Sequence, residues 1–416
     1  MTISGVYDCA VSIIFHVYLQ FLIRLQDRYS EEEVEILDAV KKSFLSSDQL
    51  PNLSSLALIF SEICAVDRGG FYWGDPPESV EFRSEVLQLL LQLYERVSSR
   101  DRIRSLSIKN LQNHVPPEFV ESQLFQSLLS KLSSLELHIV SEEYEASPEN
   151  RIWYSEVHDF GRDLPLKWFA HCSATLTNLV LFADHYIGFC PKIDLRGVHF
   201  PRLKSLALGN YTFSHDWQLD WLTAHGATLE ELYMDDCGIL YARHLSGDLD
   251  PEGYMQMGPS RNGSVHPFKQ DKNGKWGICT TYERRWHHYF DTFAEHLQAL
   301  RVFRFGHGVW YYGRAFERYK TLEVVLHDER YMTFNISIGP SQFSTEPFER
   351  NYDEPEFDSN SEVDLKKKKD DPYAQPRCEK EDREALERLL RRIGQKASFP
   401  DFKKSWVVQI EDNYED

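Results

Sequence analysis

Ala174-Thr175-Leu176-Thr177-Asn178-Leu179-Val180-Leu181 and Ala227-Thr228-Leu229-Glu230-Glu231-Leu232-Tyr233-Met234 are one phrase written twice. Each carries Leu-x-x-Leu-x-Leu or a close variant, and Trp168 precedes the first copy as Trp221 precedes the second. The same phrase reads Leu53-Leu56-Leu58, Ile103-Leu106-Ile108, Leu132-Leu135-Leu137 and Leu203-Leu206-Leu208, with weaker copies at Leu300-Phe303-Phe305 and Tyr319-Leu322-Val324. From residue 103 the copies begin at 132, 176, 203 and 229, and three of the four steps are 29, 27 and 26 residues. A recurring phrase at this interval is the signature of a stacked-repeat chain.

Leu-x-Leu alternation has the period of a strand with one buried face. The stretches before the strands read as helices. Glu118–Leu132 sets Val120, Leu124, Leu128 and Leu132 on one stripe behind Pro117, and Asp216–His225 ends at Gly226. Strand and helix in alternation predict an α/β leucine-rich-repeat horseshoe solenoid of the ribonuclease-inhibitor kind, spanning residues 50–340. Two insertions interrupt it, at 141–162 and 238–280, the second rich in glycine.

The flanks differ. Residues 1–49 read as a helical segment, with Ile13, Ile14, Val17, Phe21 and Leu25 on one stripe. Residues 341–378 form an acidic linker, with eight acids against Arg350 between Glu346 and Asp364. Residues 379–416 hold a capping helix and tail. Its front carries Glu379, Glu381, Asp382 and Glu384, its rear Arg388, Arg391 and Arg392, and Gly394 supplies the stop.

Charge narrows the partners. Lys and Arg number 46 against 65 Asp and Glu, a net charge of −19 with no basic stripe, which argues against nucleic acid and anionic membranes. The apolar run Ala10–Leu25 is too short to span a bilayer, which takes ~20 residues. Seven scattered cysteines without Cys-x-x-Cys fit a reducing compartment, so a cytoplasmic location is expected. Lys366–Lys369 keep nuclear import open, and sequons at Asn52, Asn210, Asn262 and Asn335 keep a secreted or membrane-anchored chain as an alternative.

No catalytic motif is present: no glycine-rich phosphate loop, no Gly-x-Ser-x-Gly and no His-Glu-x-x-His. No catalytic residue, metal ligand or cofactor is therefore expected, and the protein reads as a non-catalytic interaction module. Residues between the buried leucines face the opposite side of the strands. The candidate partner-binding residues are Lys109, Glu136, His138, Phe182, Tyr233, Asp235 and Asp236, joined by His307 and Trp310 in a glycine-flanked loop.

Several stretches resemble a group of filamentous-fungal F-box/leucine-rich-repeat proteins. They are Ala146-Ser147-Pro148-Glu149-Asn150, Lys192-Ile193-Asp194-Leu195-Arg196-Gly197, Ser205-Leu206-Ala207-Leu208-Gly209-Asn210-Tyr211, Arg285-Trp286-His287, Phe305-Gly306-His307-Gly308 and Gly339-Pro340-Ser341-Gln342. The resemblance implies a substrate receptor of a Skp–cullin–F-box ubiquitin ligase, with a protein substrate, a Skp adaptor and a cullin as partners. The chain departs from that pattern in 1–49. Glu35-Ile36-Leu37 is the nearest echo of an F-box phrase, so the region reads as a divergent or lost F-box. A scaffold with no ligase link is the other alternative.

Overall fold

The computed structural model describes residues 11–16, 52–64, 78–142, 154–245, 249–259, 265–267, 278–308, 316–335, 339–341 and 375–400. Its strands are β1 (Val11–His16), β2 (Leu53–Ile59), β3 (Ser105–Gln112), β4 (Ser134–Val140), β5 (Asn178–Ile187), β6 (Ser205–Phe213), β7 (Glu231–Asp235), β8 (Gly238–Leu245), β9 (Met257–Pro259), β10 (Val265–Pro267), β11 (Ile278–Thr281), β12 (Val302–Gly306), β13 (Tyr331–Asn335) and β14 (Gly339–Ser341). The principal helices are α1 (Val80–Arg96), α2 (Gln123–Leu129), α3 (Ser155–Asp163), α4 (Asp216–Thr223), α5 (Trp286–His296) and α6 (Glu379–Arg392).

The repeated phrase becomes a ladder. Leu56 pairs with Leu106, Leu106 with Leu135, Leu135 with Leu179, Leu179 with Leu206, Leu206 with Leu232 and Leu232 with Phe303, all between parallel strands. Every one of these side chains is 1% exposed or less. The register is fixed because a slip of one residue would turn this whole row out of the core. Helix side chains such as Phe82, Leu90, Phe125 and Leu222 share that core.

The architecture is nevertheless not the expected leucine-rich-repeat horseshoe. Among the described residues the chain builds a mostly parallel α/β sheet of 12 strands that forks at β6. Ser205–Gly209 pair with β7, which carries β12, whereas Thr212 and Phe213 at the far end of β6 pair with β8. From β8 a second branch runs through β13 to β14, and both β11 and β14 are antiparallel. A solenoid adds one strand per unit in single file. Here β6 serves two neighbours, and β13 lies beside β8 rather than beside β12.

The physical reason lies in 238–245. The glycines of that region suggested an insertion, yet Gly238-Ile239-Leu240-Tyr241-Ala242-Arg243-His244-Leu245 is a sheet strand buried along nearly its whole length. Gly238 is needed because a Cβ there would lie 2.9 Å from the Glu329 carbonyl oxygen. Two-sided burial explains why the strand lacks the alternation that marks the others.

Other expectations shift in detail. The helix expected over 118–132 breaks into Pro117–Val120 and α2, because the Ser122 hydroxyl accepts the Leu124 N–H and starts a new helix. The 141–162 insertion yields α3 from Ser155 onward, with 143–153 outside the described residues. In the segment expected to be helical, Val11–His16 is a strand paired with β2, and the rest of 1–49 lies outside the described residues. The eighth copy of the phrase starts in a 3-10 helix, Phe316–Thr321, and its remainder is not a strand. The 342–374 part of the acidic linker also lies outside the described residues.

α6 docks on α5, burying Ala385, Leu386, Leu389 and Leu390. Five of the cysteines, Cys64, Cys172, Cys190, Cys237 and Cys378, are free thiols, and no helix among the described residues is long and apolar enough to cross a membrane. Asn210 is buried and donates its side-chain amide to the Ala183 carbonyl at 2.8 Å, so a glycan there would break the join between β5 and β6.

His225 closes α4 in a neutral form. Its Nδ1 lies 2.9 Å from the Trp221 carbonyl and its Nε2 accepts the Phe200 N–H at 3.2 Å. Burial, reinforced by the stacked His199 ring, pushes its pKa down to about 4. Unfolding therefore takes up a proton between that value and the ordinary ~6.5, so this group's stabilisation is present above pH ~6.5 and lost as pH falls towards 4. Urea titrations of wild type and His225→Gln should show a stability difference on the order of 1–2 kcal/mol smaller at pH 5 than at pH 7. A pH-independent difference would contradict the neutral assignment.

Candidate functional site

The strand side chains opposite the leucines divide into two zones. On β2–β4 they are half-buried and form a strip: Ser55, Ala57 and Ile59, then Ser105, Ser107 and Lys109, then Ser134 and Glu136. Register sets them in rows, with Ser107 beside Glu136 and Ser105 beside Ser134. Asn178 extends the lower row and donates to the Ser134 hydroxyl at 2.9 Å. Of the sequence candidates, Lys109 and Glu136 stand in this strip.

Along the middle of β5, β6 and β7 the same face is covered. Val180, Phe182, Ala207 and Tyr233 cluster with Tyr319, whose ring meets that of Tyr233 edge-on at 5.0 Å. His138 is buried against Phe182 and lies 3.1 Å from Glu136. His138, Phe182, Tyr233, Asp235 and Asp236 are thus buried rather than open to a partner, which corrects the expectation that this face is a free groove throughout. The Tyr319 segment, read as a further strand, instead folds over the face as a 3-10 helix. Trp310 lies outside the described residues.

Asp235, Asp236 and His307 come together at the carboxyl ends of β7 and β12, the edge where open parallel sheets place their sites. Asp235 ends β7, and one oxygen accepts the Gly308 N–H at 2.7 Å. Asp236 follows at φ 52°, and its N–H donates to the Gly306 carbonyl at 2.8 Å. Asn110 and Asn210 stand at the same offset in their own copies of the phrase, also at positive φ, and reach back with an amide to Phe60 and Ala183 carbonyls. The Asp236 side chain has no amide proton to give. Its carboxylate instead takes the Tyr186 hydroxyl at 3.2 Å and lies 3.0 Å from His307 Nδ1.

Three further groups complete this cluster. The Tyr186 hydroxyl also reaches Glu329 Oε2 at 3.2 Å, and that oxygen is 3.7 Å from His307 Nδ1. His327 is fully buried, with its ring centroid 6.1 Å from that of His307. Burial raises the Asp235 carboxyl to about 7, and burial with the Asp236 charge raises Glu329 to about 7. Burial opposes charge on Asp236 and His307, yet their pairing wins, lowering the one pKa and raising the other. Nothing at sequence level marked Tyr186, His327 or Glu329. The usable signal was an acid at position 236, where two other copies carry Asn at 110 and 210.

Two other groupings invite a chemical reading. Ser141 Oγ is 2.9 Å from His185 Nδ1, and Asp184 Oδ1 is 2.7 Å from the same nitrogen. A serine relay needs hydroxyl and carboxylate on opposite ring nitrogens, and Ser141 is buried, so this arrangement does not activate the hydroxyl. His287, Cys378 and Asp382 also converge, but Asp382 is already saturated by Tyr331, His287 and Arg330, and joins α6 to the sheet. Burial lifts the Cys172 and Cys190 thiols to about 12, far from nucleophilic at neutral pH.

No family model matches this chain, and neither a curated protein nor a solved structure does.

Proposed function

We propose that the protein is a non-catalytic interaction module whose contact surface is the β2–β4 strip, and that it recruits a protein substrate to a Skp–cullin–F-box ubiquitin ligase. The observation that carries the binding reading is the strip itself. It presents seryl hydroxyls, an amide, Lys109 and Glu136 in rows set by the register of parallel strands. Such a surface suits an extended protein segment of mixed charge, with hydroxyl and amide groups giving orientation and the two charges giving selectivity. The ligase part rests on the resemblance to F-box substrate receptors.

Each part has its own test. The full chain mixed with a purified Skp adaptor and cullin should co-elute on size exclusion; separate elution removes the ligase assignment. Proximity labelling in cells should lose its main protein partners, roughly tenfold or more, in the double variant Lys109→Glu/Glu136→Lys. A tenfold loss corresponds to about 1.4 kcal/mol of binding. An unchanged partner set places the contact surface elsewhere.

A further inference from the structure

We propose that Asp236, His307 and His327, with Glu329 as the fourth donor, form a structural zinc site at the carboxyl ends of β7 and β12. The ligand atoms of the first three lie within 4.8 Å of one another. Neither ring nitrogen of His327 has a hydrogen-bond partner, and the side chain is fully buried. An imidazole held inside a protein with both nitrogens unsatisfied is costly, and a metal bond would satisfy one of the two. This observation is independent of the clustering and points to a ligand.

Charge and donor type select the metal. Two carboxylates and two neutral imidazoles offer two nitrogens and two oxygens and balance a divalent cation. That set suits zinc, which takes four such ligands in a tetrahedron, whereas calcium and magnesium favour all-oxygen shells. Tetrahedral zinc bonds of about 2.0–2.1 Å set donors about 3.3–3.4 Å apart. Asp236 Oδ1 and His307 Nδ1 stand 3.0 Å apart and Glu329 Oε2 lies 3.7 Å from that nitrogen, close to this spacing, and Glu329 would move in towards His327 to complete the set. The Tyr186 hydroxyl lies 3.2 Å from both Asp236 Oδ2 and Glu329 Oε2 and can donate its one proton to either, as outer groups do around metal carboxylates.

The backbone is shaped for the same purpose. His307 stands between two glycines, the first closed to any side chain by backbone and the second pressed against a carboxylate that would have to move. A Cβ on Gly306 would lie 2.3 Å from the Glu323 carbonyl oxygen, and one on Gly308 would lie 2.8 Å from Asp235 Oδ2. The ion would tie the end of β7, the end of β12 and the turn before β13, so it would brace the two branches of the sheet against each other. Four protein donors leave no open position, which makes the site structural rather than catalytic.

Cobalt(II) is the probe. The full chain, stripped with a chelator and titrated with cobalt, should develop the intense visible absorption of a tetrahedral complex at one equivalent, and added zinc should bleach it. Zinc should also raise the Tm. His327→Gln, folded by circular dichroism, should lose both responses. Should that variant not fold, the half-buried His307→Asn serves the same purpose. Absence of tetrahedral cobalt absorption in the wild-type chain overturns the proposal. So does one-equivalent uptake that survives in a folded His327→Gln or His307→Asn chain, and Cys378→Ser would then show whether the metal sits at the His287–Cys378–Asp382 group.

Discussion

Asp382→Ala is expected to destabilise the protein by about 3–5 kcal/mol, the usual cost of removing one partner from a buried ion pair. Asp382 is fully buried in the first turn of α6. It accepts the Tyr331 hydroxyl at 2.9 and 3.0 Å, the His287 N–H at 3.0 Å and the Arg330 Nε at 3.3 Å. Alanine would leave a buried guanidinium and a phenol without their acceptor, and would cut the link from α6 to α5 and β13. Asp382→Asn keeps an acceptor for Tyr331 and His287 but not the charge for Arg330, so its loss should be smaller. Urea unfolding followed by circular dichroism measures both. Hydrogen exchange should accelerate first in α6. A loss below 1 kcal/mol in the alanine variant would show that the apolar stripe of Leu386, Leu389 and Leu390 alone holds the helix.

Arg83→Met carries the second large effect, again about 3–5 kcal/mol. Arg83 and Glu78 are both buried and meet at 3.0 Å. The guanidinium also donates to the Asn110 carbonyl at 2.7 Å and the Ser61 carbonyl at 2.6 Å, so one side chain joins α1, β3 and the turn after β2. Methionine fills the space but strands the Glu78 carboxylate, which still accepts the Ser61 N–H. The double variant Glu78→Gln/Arg83→Met removes the stranded charge and should recover a large part of the loss. Strict additivity of the two single changes in a thermodynamic cycle would mean that the pair does not interact energetically.

What the sequence disclosed and what it hid have physical causes. Leu135, Leu179, Leu206 and Leu232 were legible because a strand with one buried face alternates, and each copy repeats that alternation at a near-constant interval. The β8 strand was hidden because burial on both faces erases alternation, and its leading Gly238 mimics a loop. With β8 misread, the fork at β6 was invisible, and a single-file horseshoe was the natural but mistaken extrapolation. α6 was legible from its charge order and apolar stripe, whereas the helix over 118–132 concealed a break that only the Ser122 cap reveals.

The site divides in the same way. Lys109 and Glu136 could be placed because strand alternation assigns a face. Whether that face is open depends on what folds over it, and Tyr319 is distant in sequence from the strand it covers. Asp236 and His307 were within reach as polar residues just after strand ends. His327 and Glu329 join them only because β12 lies beside β7 and the chain then turns back toward β8, a consequence of the sheet order.

That order is the central claim, and oxidative cross-linking of paired cysteines tests it most directly. Glu231 and Val302 are register partners on the adjacent parallel strands β7 and β12, so their Cα atoms stand about 4.8 Å apart, within disulfide reach. Glu231→Cys/Val302→Cys should close an intrachain disulfide under mild oxidation. Ser205→Cys/Val302→Cys, separated by the intervening β7, should not. Cross-linking of the second pair but not the first would contradict the strand order and, with it, the placement of both the contact strip and the metal cluster.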